Sequence, residues 1–252
     1  SFPEGLSFLP ETLAAALNEP VRYNAAVTAI DRPGGGRFAV RFTKDGGEAA
    51  VEADSVILAL PAHGITGIRM AEPIEDRLGV LDEIEYPPVT SVALGFPRDA
   101  VAHPLDGFGM LVPEVEKRES LGTLFSSTLF PGRAPDGHVL LTTFVGGTRQ
   151  PDNAALGEDA LYEMTARELQ GLIGVSGEPS YRSIRRWPRA IPQYTIGYDR
   201  YLDTMDAFET ANPGLFIAGH IRDGISLAKC VRGGIRAKNA VVDYRNRTAR
   251  AP

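Results

Sequence analysis

The stretch that decides the fold is Pro213-Gly-Leu-Phe-Ile-Ala-Gly-His-Ile-Arg-Asp-Gly-Ile-Ser-Leu-Ala-Lys-Cys-Val-Arg-Gly-Gly-Ile235. Residues 215–218 are all apolar, which is typical of a strand buried on both faces of a parallel sheet. Gly219 ends this strand, and a turn at Asp223-Gly224 leads to Ser226, which opens a helical pattern. A helix that begins there would point its free N–H groups and positive dipole end at whatever lies over the strand end. The pattern is compatible with a site for an electron-rich group, but taken by itself it is better explained as an ordinary strand–helix corner.

The helical pattern after Ser226 continues almost to the end of the chain. Its apolar residues recur at helical spacing and are Leu227, Val231, Ile235, Ala240 and Val241.

Composition places the chain among globular proteins and excludes several partners. Of 252 residues, 43% are hydrophobic and 23% are charged. The formal net charge of −6 argues against nucleic acid or an anionic membrane surface as a general partner. The single cysteine cannot form an internal disulfide and fits a reducing compartment, so we expect a cytoplasmic location. The first residues do not read as a signal peptide, and no apolar run approaches the roughly 20 residues that span a bilayer.

The remaining sequence predicts alternating strands and helices. Alternating or wholly apolar runs predict strands over 21–30, 37–44, 48–52, 55–60, 89–96, 107–113, 121–129, 139–145 and 181–187. Helical spacing predicts helices over 6–17, 74–84 and 152–173. The triple glycine at 34–36 follows Pro33 and precedes an alternating segment, so it predicts a hairpin turn. A phosphate-binding G-x-G-x-x-G motif is absent from the sequence.

Side-chain chemistry finds little support in these residues. Metal binding is improbable, because the four histidines share no ligand spacing with one another or with Cys230. Cys230 has no evident histidine partner that would make it a nucleophile. Asp223 has two interpretations: it could be catalytic, and the pattern supports at least equally a role as the cap of the following helix. An apolar pocket and plain core packing explain equally well a group of large side chains: Phe108, Leu111, Phe125, Leu129 and Phe130. This pattern suits an enzyme whose chemistry belongs to a cofactor, and no catalytic residue is assigned.

Several segments together resemble the protoporphyrinogen oxidase family within the flavin amine oxidase superfamily. The segments, in chain order, are 5–17, Val27-Thr-Ala-Ile30, Ala53-Asp-Ser-Val-Ile-Leu-Ala-Leu-Pro-Ala62, 107–113, 121–135, 144–147, Trp187-Pro-Arg-Ala-Ile-Pro-Gln-Tyr194 and 219–234. They cover nearly the whole chain in the family's order. Family members begin with a strand and a G-x-G-x-x-G turn, which the chain lacks. It therefore resembles the C-terminal portion of the family, without the N-terminal Rossmann half.

The resemblance implies an α+β or α/β fold with two parts. Residues 1–68 and 211–252 would form part of an FAD-binding domain. Residues 69–210 would form a substrate-binding domain with a mixed, largely antiparallel sheet. A missing Rossmann half would be a partner of this chain, and self-association is expected where that half leaves apolar faces uncovered.

The resemblance also implies site residues by position. The residues that match flavin-contacting positions are Val27, Ala59, Pro61, Gly219, His220, Gly224, Ile225 and Ser226. Leu111 and Phe130 match apolar residues that hold the tetrapyrrole. Two residues depart from the family pattern, since His220 replaces the usual asparagine and Lys229 the usual aspartate.

The implied activity is oxidation of protoporphyrinogen IX or coproporphyrinogen III to the porphyrin in heme biosynthesis. FAD would accept the hydrogen and molecular oxygen would reoxidise it, in an enzyme that is membrane-associated when intact. Two alternatives stay open. The chain could be a non-catalytic binding module that holds FAD weakly or not at all, or it could belong to an amine oxidase or a carotenoid desaturase. An amine oxidase would carry Trp or Tyr immediately before Gly219, where this sequence has Ala218.

Overall fold

The computed structural model describes Phe2 and residues 4–250, and divides the chain into two units. The first unit comprises Ser1–Leu17 and Tyr86–Ile191, and the second comprises Asn18–Glu85 and Pro192–Pro252. Both are built from α-helices and β-strands, as the sequence predicts.

The strands in chain order are β1 (Ala26–Asp31), β2 (Phe38–Lys44), β3 (Gly47–Ala53), β4 (Val56–Leu58), β5 (Arg69–Met70), β6 (Val89–Pro97), β7 (Gly109–Leu111), β8 (Ser120–Phe125), β9 (His138–Gly146), β10 (Tyr181–Trp187) and β11 (Leu215–Ile217). The α-helices are α1 (Phe8–Ala15), α2 (Ala62–Thr66), α3 (Ser126–Leu129), α4 (Glu158–Ile173), α5 (Asp199–Ala211), α6 (His220–Asp223) and α7 (Leu227–Thr248). None of the helices in the described part of the chain combines the length and the apolar character needed to cross a membrane.

The first unit is built around a five-stranded sheet in the order β10-β6-β9-β8-β7. Every neighbouring pair in this sheet is antiparallel. One face packs against α4, whose Leu161, Met164 and Leu169 join Leu94 and Leu141 in the buried core. Alternation along β6 and β9 produces this core, because every second side chain points to the same face.

Two buried polar contacts link elements of the first unit. The hydroxyls of Thr123 and Thr143 form a hydrogen bond of 2.8 Å between neighbouring strands. The buried carboxylate of Glu168 accepts a 2.8 Å hydrogen bond from Ser120 and lies 3.7 Å from Nη1 of Arg118. These contacts attach the β8 end of the sheet to α4.

The second unit contains two sheets. One has the order β3-β2-β1-β5, with antiparallel pairs except for the parallel pair of β1 and β5. The other consists of β4 and β11, which run parallel in the register Val56–Leu215 to Leu58–Ile217. All three residues of β11 are buried, as the sequence predicts. This two-stranded parallel sheet carries the candidate site.

Several predicted elements have different bounds. The predicted strand over 55–60 is reduced to β4, and Ile57 is 42% exposed, so this strand is not buried on both faces. The predicted strand over 121–129 turns into α3 after Phe125. The predicted helix over 152–173 starts at Glu158, after a separate 3-10 turn.

The predicted helix over 74–84 is wrong: only a 3-10 turn at Leu78–Glu83 forms. Side chains bind backbone N–H groups of this segment: Asp76 accepts from Leu78 N at 3.0 Å, and Asn212 accepts from Glu75 N at 2.9 Å. Such hydrogen bonds compete with those of a helix. The helix α5, which supplies part of this environment, was not predicted from the sequence.

Candidate functional site

The carboxyl ends of β4 and β11 lie side by side. Ala218 N donates to the carbonyl of Leu58 at 3.0 Å, so the two strands are still hydrogen-bonded where they end. Ala59 and Pro61 follow β4, and Gly219 and His220 follow β11. The structure therefore brings together these four predicted site residues at the carboxyl ends of the two strands, where ligands of α/β folds commonly bind.

A glycine-bounded loop connects β11 to the long helix α7. Gly219 has φ +103° and Gly224 has φ +104°, a conformation that side chains rarely adopt. Between them α6 forms a single helical turn. A Cβ placed on Gly219 would have only the carbonyl carbon of Ala59, 4.0 Å away, within reach. The backbone at Gly219 therefore leaves open space at the end of the sheet.

The helix α7 begins as the sequence predicts. The Ser226 hydroxyl caps it by accepting a 3.3 Å hydrogen bond from Lys229 N. No backbone acceptor is present for the N–H groups of Leu227 and Ala228 within the described residues. Ile225 and Ser226 are exposed and Gly224 is buried. The helix start thus offers unpaired donors and the positive dipole end to an electron-rich group.

An ion pair between Asp223 and Arg236 holds this loop. Arg236 Nε lies 3.0 Å from Asp223 Oδ1, and its Nη2 donates to the Ile217 carbonyl at 2.8 Å. Asp223 Oδ2 also accepts from Gly219 N at 3.1 Å. The interpretation of Asp223 as the cap of the following helix is therefore wrong, since Ser226 takes that role. Asp223 instead fixes the glycine loop to β11 and α7.

Two tyrosines hold the backbone of the same loop. The Tyr198 hydroxyl donates to the Ile221 carbonyl at 2.7 Å, and the Tyr194 hydroxyl donates to the His220 carbonyl. The two rings pack edge to face with centroids 4.8 Å apart. Burial raises the pKa of Tyr194, with smaller contributions from Cys230 and Asp223, so its phenol keeps the proton it donates.

His220 stands beside a second histidine. Burial lowers the pKa of His220, and electrostatic repulsion from His63 at the start of α2 lowers it further. The neutral imidazole is therefore favoured at the end of β11. A neutral ring can donate or accept a hydrogen bond, as the amide of the family's usual asparagine does.

The other predicted site residues lie elsewhere. Val27 lies on β1, in the four-stranded sheet of the second unit, and is partly exposed. Leu111 and Phe130 belong to the first unit, where Leu111 ends the edge strand β7 and is 90% exposed. Phe130 follows α3 and is half-buried. Their contact with a ligand remains a prediction.

Four residues of the site were not assigned from the sequence: His63, Tyr194, Tyr198 and Arg236. Tyr194 ends the segment Ile191-Pro-Gln-Tyr194, one of the more specific parts of the family resemblance, so a signal existed for it. Arg236 is one of several basic residues on α7, and nothing in the pattern distinguishes it from the others. Among the described residues, no three His, Cys, Asp or Glu side chains group as a metal site.

One family model matches almost the whole chain. The sequence model for flavin-containing amine oxidoreductases matches residues 1–242. Protoporphyrinogen oxidase 1 of Arabidopsis thaliana is 32% identical over 99% of this chain and 48% of its own length. Mitochondrial protoporphyrinogen oxidase of Nicotiana tabacum is 39% identical over 76% of this chain and 39% of its own length. Coproporphyrinogen III oxidase of Bacillus subtilis (strain 168) is 25% identical over 77% of this chain and 41% of its own length. The chain thus spans about half the length of the curated relatives it matches, or less.

Solved structures agree on the fold. A crystal structure from Exiguobacterium sp. 255-15 superposes with a TM-score of 0.78 over 98% of this chain and 51% of that chain, at 24% identity. A putrescine oxidase variant superposes with a TM-score of 0.71 over 97% of this chain and 53% of that chain, at 18% identity. At these identities the likeness shows the fold alone.

Replacing Gly233 tests the packing of the ion pair against α7. A Cβ at Gly233 would lie 2.3 Å from Asp223 Oδ2 and 2.8 Å from Asp223 Cβ, so Gly233→Ala must displace the aspartate. We expect a loss of about 1–3 kcal/mol in unfolding free energy, typical of an overpacked site. The neighbouring Gly234→Ala is the matched control, because its Cβ meets open space and alanine favours the helix by up to about 1 kcal/mol. Urea unfolding of both variants measures the difference, and equal effects would contradict the packing described.

Replacing His220 tests its electrostatic environment. Because its pKa is lowered in the folded chain, the unfolded chain binds the proton more readily, and stability falls as the pH drops below the ordinary histidine pKa of about 6.5. His220→Asn removes this contribution. We expect its urea midpoint to fall less between pH 7.5 and pH 5 than that of the unmodified chain. His138→Asn, at an exposed histidine of the first unit, serves as the control for the replacement of a histidine by asparagine. If the urea midpoint of His220→Asn varied with pH in the same way as that of the unmodified chain, the lowered pKa of His220 would be refuted.

Proposed function

The chain belongs to the flavin-containing amine oxidoreductase family, and we propose that it forms part of an FAD-dependent oxidase that converts a porphyrinogen to its porphyrin in heme biosynthesis. The observation that carries the proposal is the similarity of 99% of the chain to a protoporphyrinogen oxidase at 32% identity. The substrate is a cyclic tetrapyrrole of the protoporphyrinogen IX or coproporphyrinogen III type. Because relatives of both kinds match, the proposal covers both substrates.

The residue before Gly219 favours this substrate over an amine. An amine oxidase is expected to have Trp or Tyr there, whereas this chain has the small, buried Ala218. A fold shared with putrescine oxidase does not change the inference, since that likeness concerns architecture.

The ends of β4 and β11 suit a flavin. The unpaired N–H groups at the start of α7 would face the electron-rich edge of the ring, and the open space at Gly219 would let the ring approach the backbone. Bound flavin supplies the acceptor for hydrogen removed from the substrate. The chain's own contribution is to hold the loop rigid through Asp223 and Arg236 and to present a neutral His220. We assign the remaining contacts to Ala59, Pro61, Gly224, Ile225 and Ser226, with Val27 at the adenine end.

The tetrapyrrole would be held by apolar side chains of the first unit. Leu111 is 90% exposed on an edge strand, and Phe130 is half-buried after α3. Covering an exposed apolar side chain with a flat apolar ligand lowers the free energy, because apolar surface is removed from water. In functional terms we keep residues 69–210 as the substrate-binding part and residues 1–68 with 211–252 as the flavin-binding part.

The same reasoning predicts that this chain alone holds FAD weakly or not at all. A G-x-G-x-x-G turn, which supplies most of the polar recognition of the dinucleotide pyrophosphate, is absent from its sequence. After FAD is added and the excess removed, the purified chain should show no flavin absorbance. A stoichiometric flavin spectrum would contradict the proposal that FAD binding requires the glycine-rich turn. Porphyrinogen turnover by that chain should then be measured.

Truncating Leu111 tests the substrate assignment. Loss of its side chain removes apolar contact worth about 1–2 kcal/mol, so Leu111→Ala should weaken protoporphyrin binding to the chain by about 5- to 30-fold. Porphyrin fluorescence titration measures the affinity. Val115→Ala is the matched control, because Val115 is also exposed (81%) and lies shortly after β7. Equal affinity of the Leu111 variant and the unmodified chain, with equal unfolding midpoints, would count against Leu111 as a substrate contact.

A further inference from the structure

The last strand of the first unit, β10, carries several arginines that its alternation sends to opposite faces of the sheet. Arg182 is paired with Leu94 of β6, and Arg186 with Thr90 of the same strand. Leu94 belongs to the core beneath α4, so Arg182 and Arg186 lie on the face that packs against this helix. Arg185, between them in sequence, lies on the opposite face.

The two arginines on the α4 face have partners within the first unit. Arg182 Nη2 donates to the carboxylate of Glu178 at 2.7 Å. Arg186 donates to the carbonyls of Ala154 and Leu156 at 2.8 Å and 2.7 Å. These hydrogen bonds attach β10 to its surroundings, so both residues have a structural role.

Arg185 has a different environment. Its side chain is exposed, and within the described residues its guanidinium has neither a hydrogen-bond acceptor nor a carboxylate partner. Its contact is with the ring of Trp187, whose centroid lies 5.0 Å from Cζ of Arg185. An aromatic ring can support a guanidinium in this way without using its N–H donors. The donors of Arg185 are therefore available to a ligand.

The sheet register places Arg185 in one row with the exposed Leu111. Antiparallel pairs connect one residue from each of the five strands on this face, in the order Leu111, Gly122, Phe144, Ser91 and Arg185. Four strand spacings of about 4.8 Å separate the two ends of the row by roughly 19 Å. Leu111 and Arg185 therefore lie at opposite edges of one surface of the sheet.

This surface has a single charge. Of the described strand residues that point to the face opposite α4, Arg185 is the only Asp, Glu, Lys or Arg. An uncharged surface with one cation at its edge complements a flat apolar molecule that has an anionic group at its rim.

We propose that Arg185 binds a carboxylate of the tetrapyrrole and thereby orients the ring on this surface. The inference rests on the proposed function, which places the ring against Leu111. Both proposed substrates have propionate side chains at the rim of an apolar ring. The fork of guanidinium donors can bind both oxygens of one carboxylate. A propionate edge of the ring then lies at β10, and the ring extends from there toward β7.

Arg185→Gln tests the carboxylate contact, because glutamine keeps a polar side chain and removes the charge. The probes are protoporphyrin IX and its bis-amide, in which uncharged carboxamides replace both carboxylates. We expect the variant to bind protoporphyrin IX about 10-fold more weakly, through loss of a charge-assisted hydrogen bond, and to bind the bis-amide with unchanged affinity. Arg185→Lys should give an intermediate affinity for protoporphyrin IX. Porphyrin fluorescence titration measures these affinities.

Two further measurements make the test specific. Arg182→Gln is the matched control, since it removes the same charge from the opposite face of the same strand, and it should bind both porphyrins as the unmodified chain does. Trp187 is the only tryptophan of the chain, so its emission reports ligand next to Arg185. Bound protoporphyrin IX should quench this emission.

Three results would overturn the assignment of Arg185: equal affinity of Arg185→Gln and the unmodified chain for protoporphyrin IX, an equal loss of affinity for both porphyrins, or binding that leaves the Trp187 emission unchanged. In each of these results the chain still binds a tetrapyrrole, so the proposed function stands. If the unmodified chain bound neither porphyrin, the assignment and the proposed function would both be contradicted.

Discussion

The ion pair between Asp223 and Arg236 is the contact on which the candidate site depends. It joins the end of β11, the glycine loop and the middle of α7, because Asp223 accepts from Gly219 N while Arg236 donates to the Ile217 carbonyl. A planar guanidinium suits this task, since its donors can bind a carboxylate and a backbone carbonyl at once. The side chain of Asp223 is 12% exposed, so little water competes for it. With the loop fixed in this way, the start of α7 keeps a constant direction relative to the strand ends.

Much of this architecture follows from local sequence signals. The wholly apolar β11 is buried as predicted, and Ser226 caps α7 where the pattern placed the helix start. The antiparallel sheet of the first unit follows from regular alternation along β6 and β9. These features depend on residues close together in the chain, so a single sequence is enough to predict them.

The rest depends on contacts between distant residues. The helix predicted over 74–84 is absent because Asn212, far along the chain, binds the N–H group of Glu75. The partner of Asp223 could not be chosen from sequence, since Arg236 is only one of the basic residues of α7. The apolar spacing of α7 predicts a helix correctly, yet Leu227, Val231 and Ile235 lie on its exposed face. Periodicity identifies an apolar face but not the element that covers it.

The most direct test of the central claim is the hydrogen-exchange rate of the Gly219 amide in Arg236→Met, followed by NMR. If the ion pair holds Asp223 against Gly219 N, its loss should speed exchange at Gly219 at least 10-fold, whereas the amide of Val40 in β2 should keep its rate. Arg236→Lys, which keeps the charge but loses the fork of donors, should give an intermediate rate. Unchanged exchange at Gly219 in Arg236→Met would show that the loop is held by other contacts and would contradict the central role given to this pair.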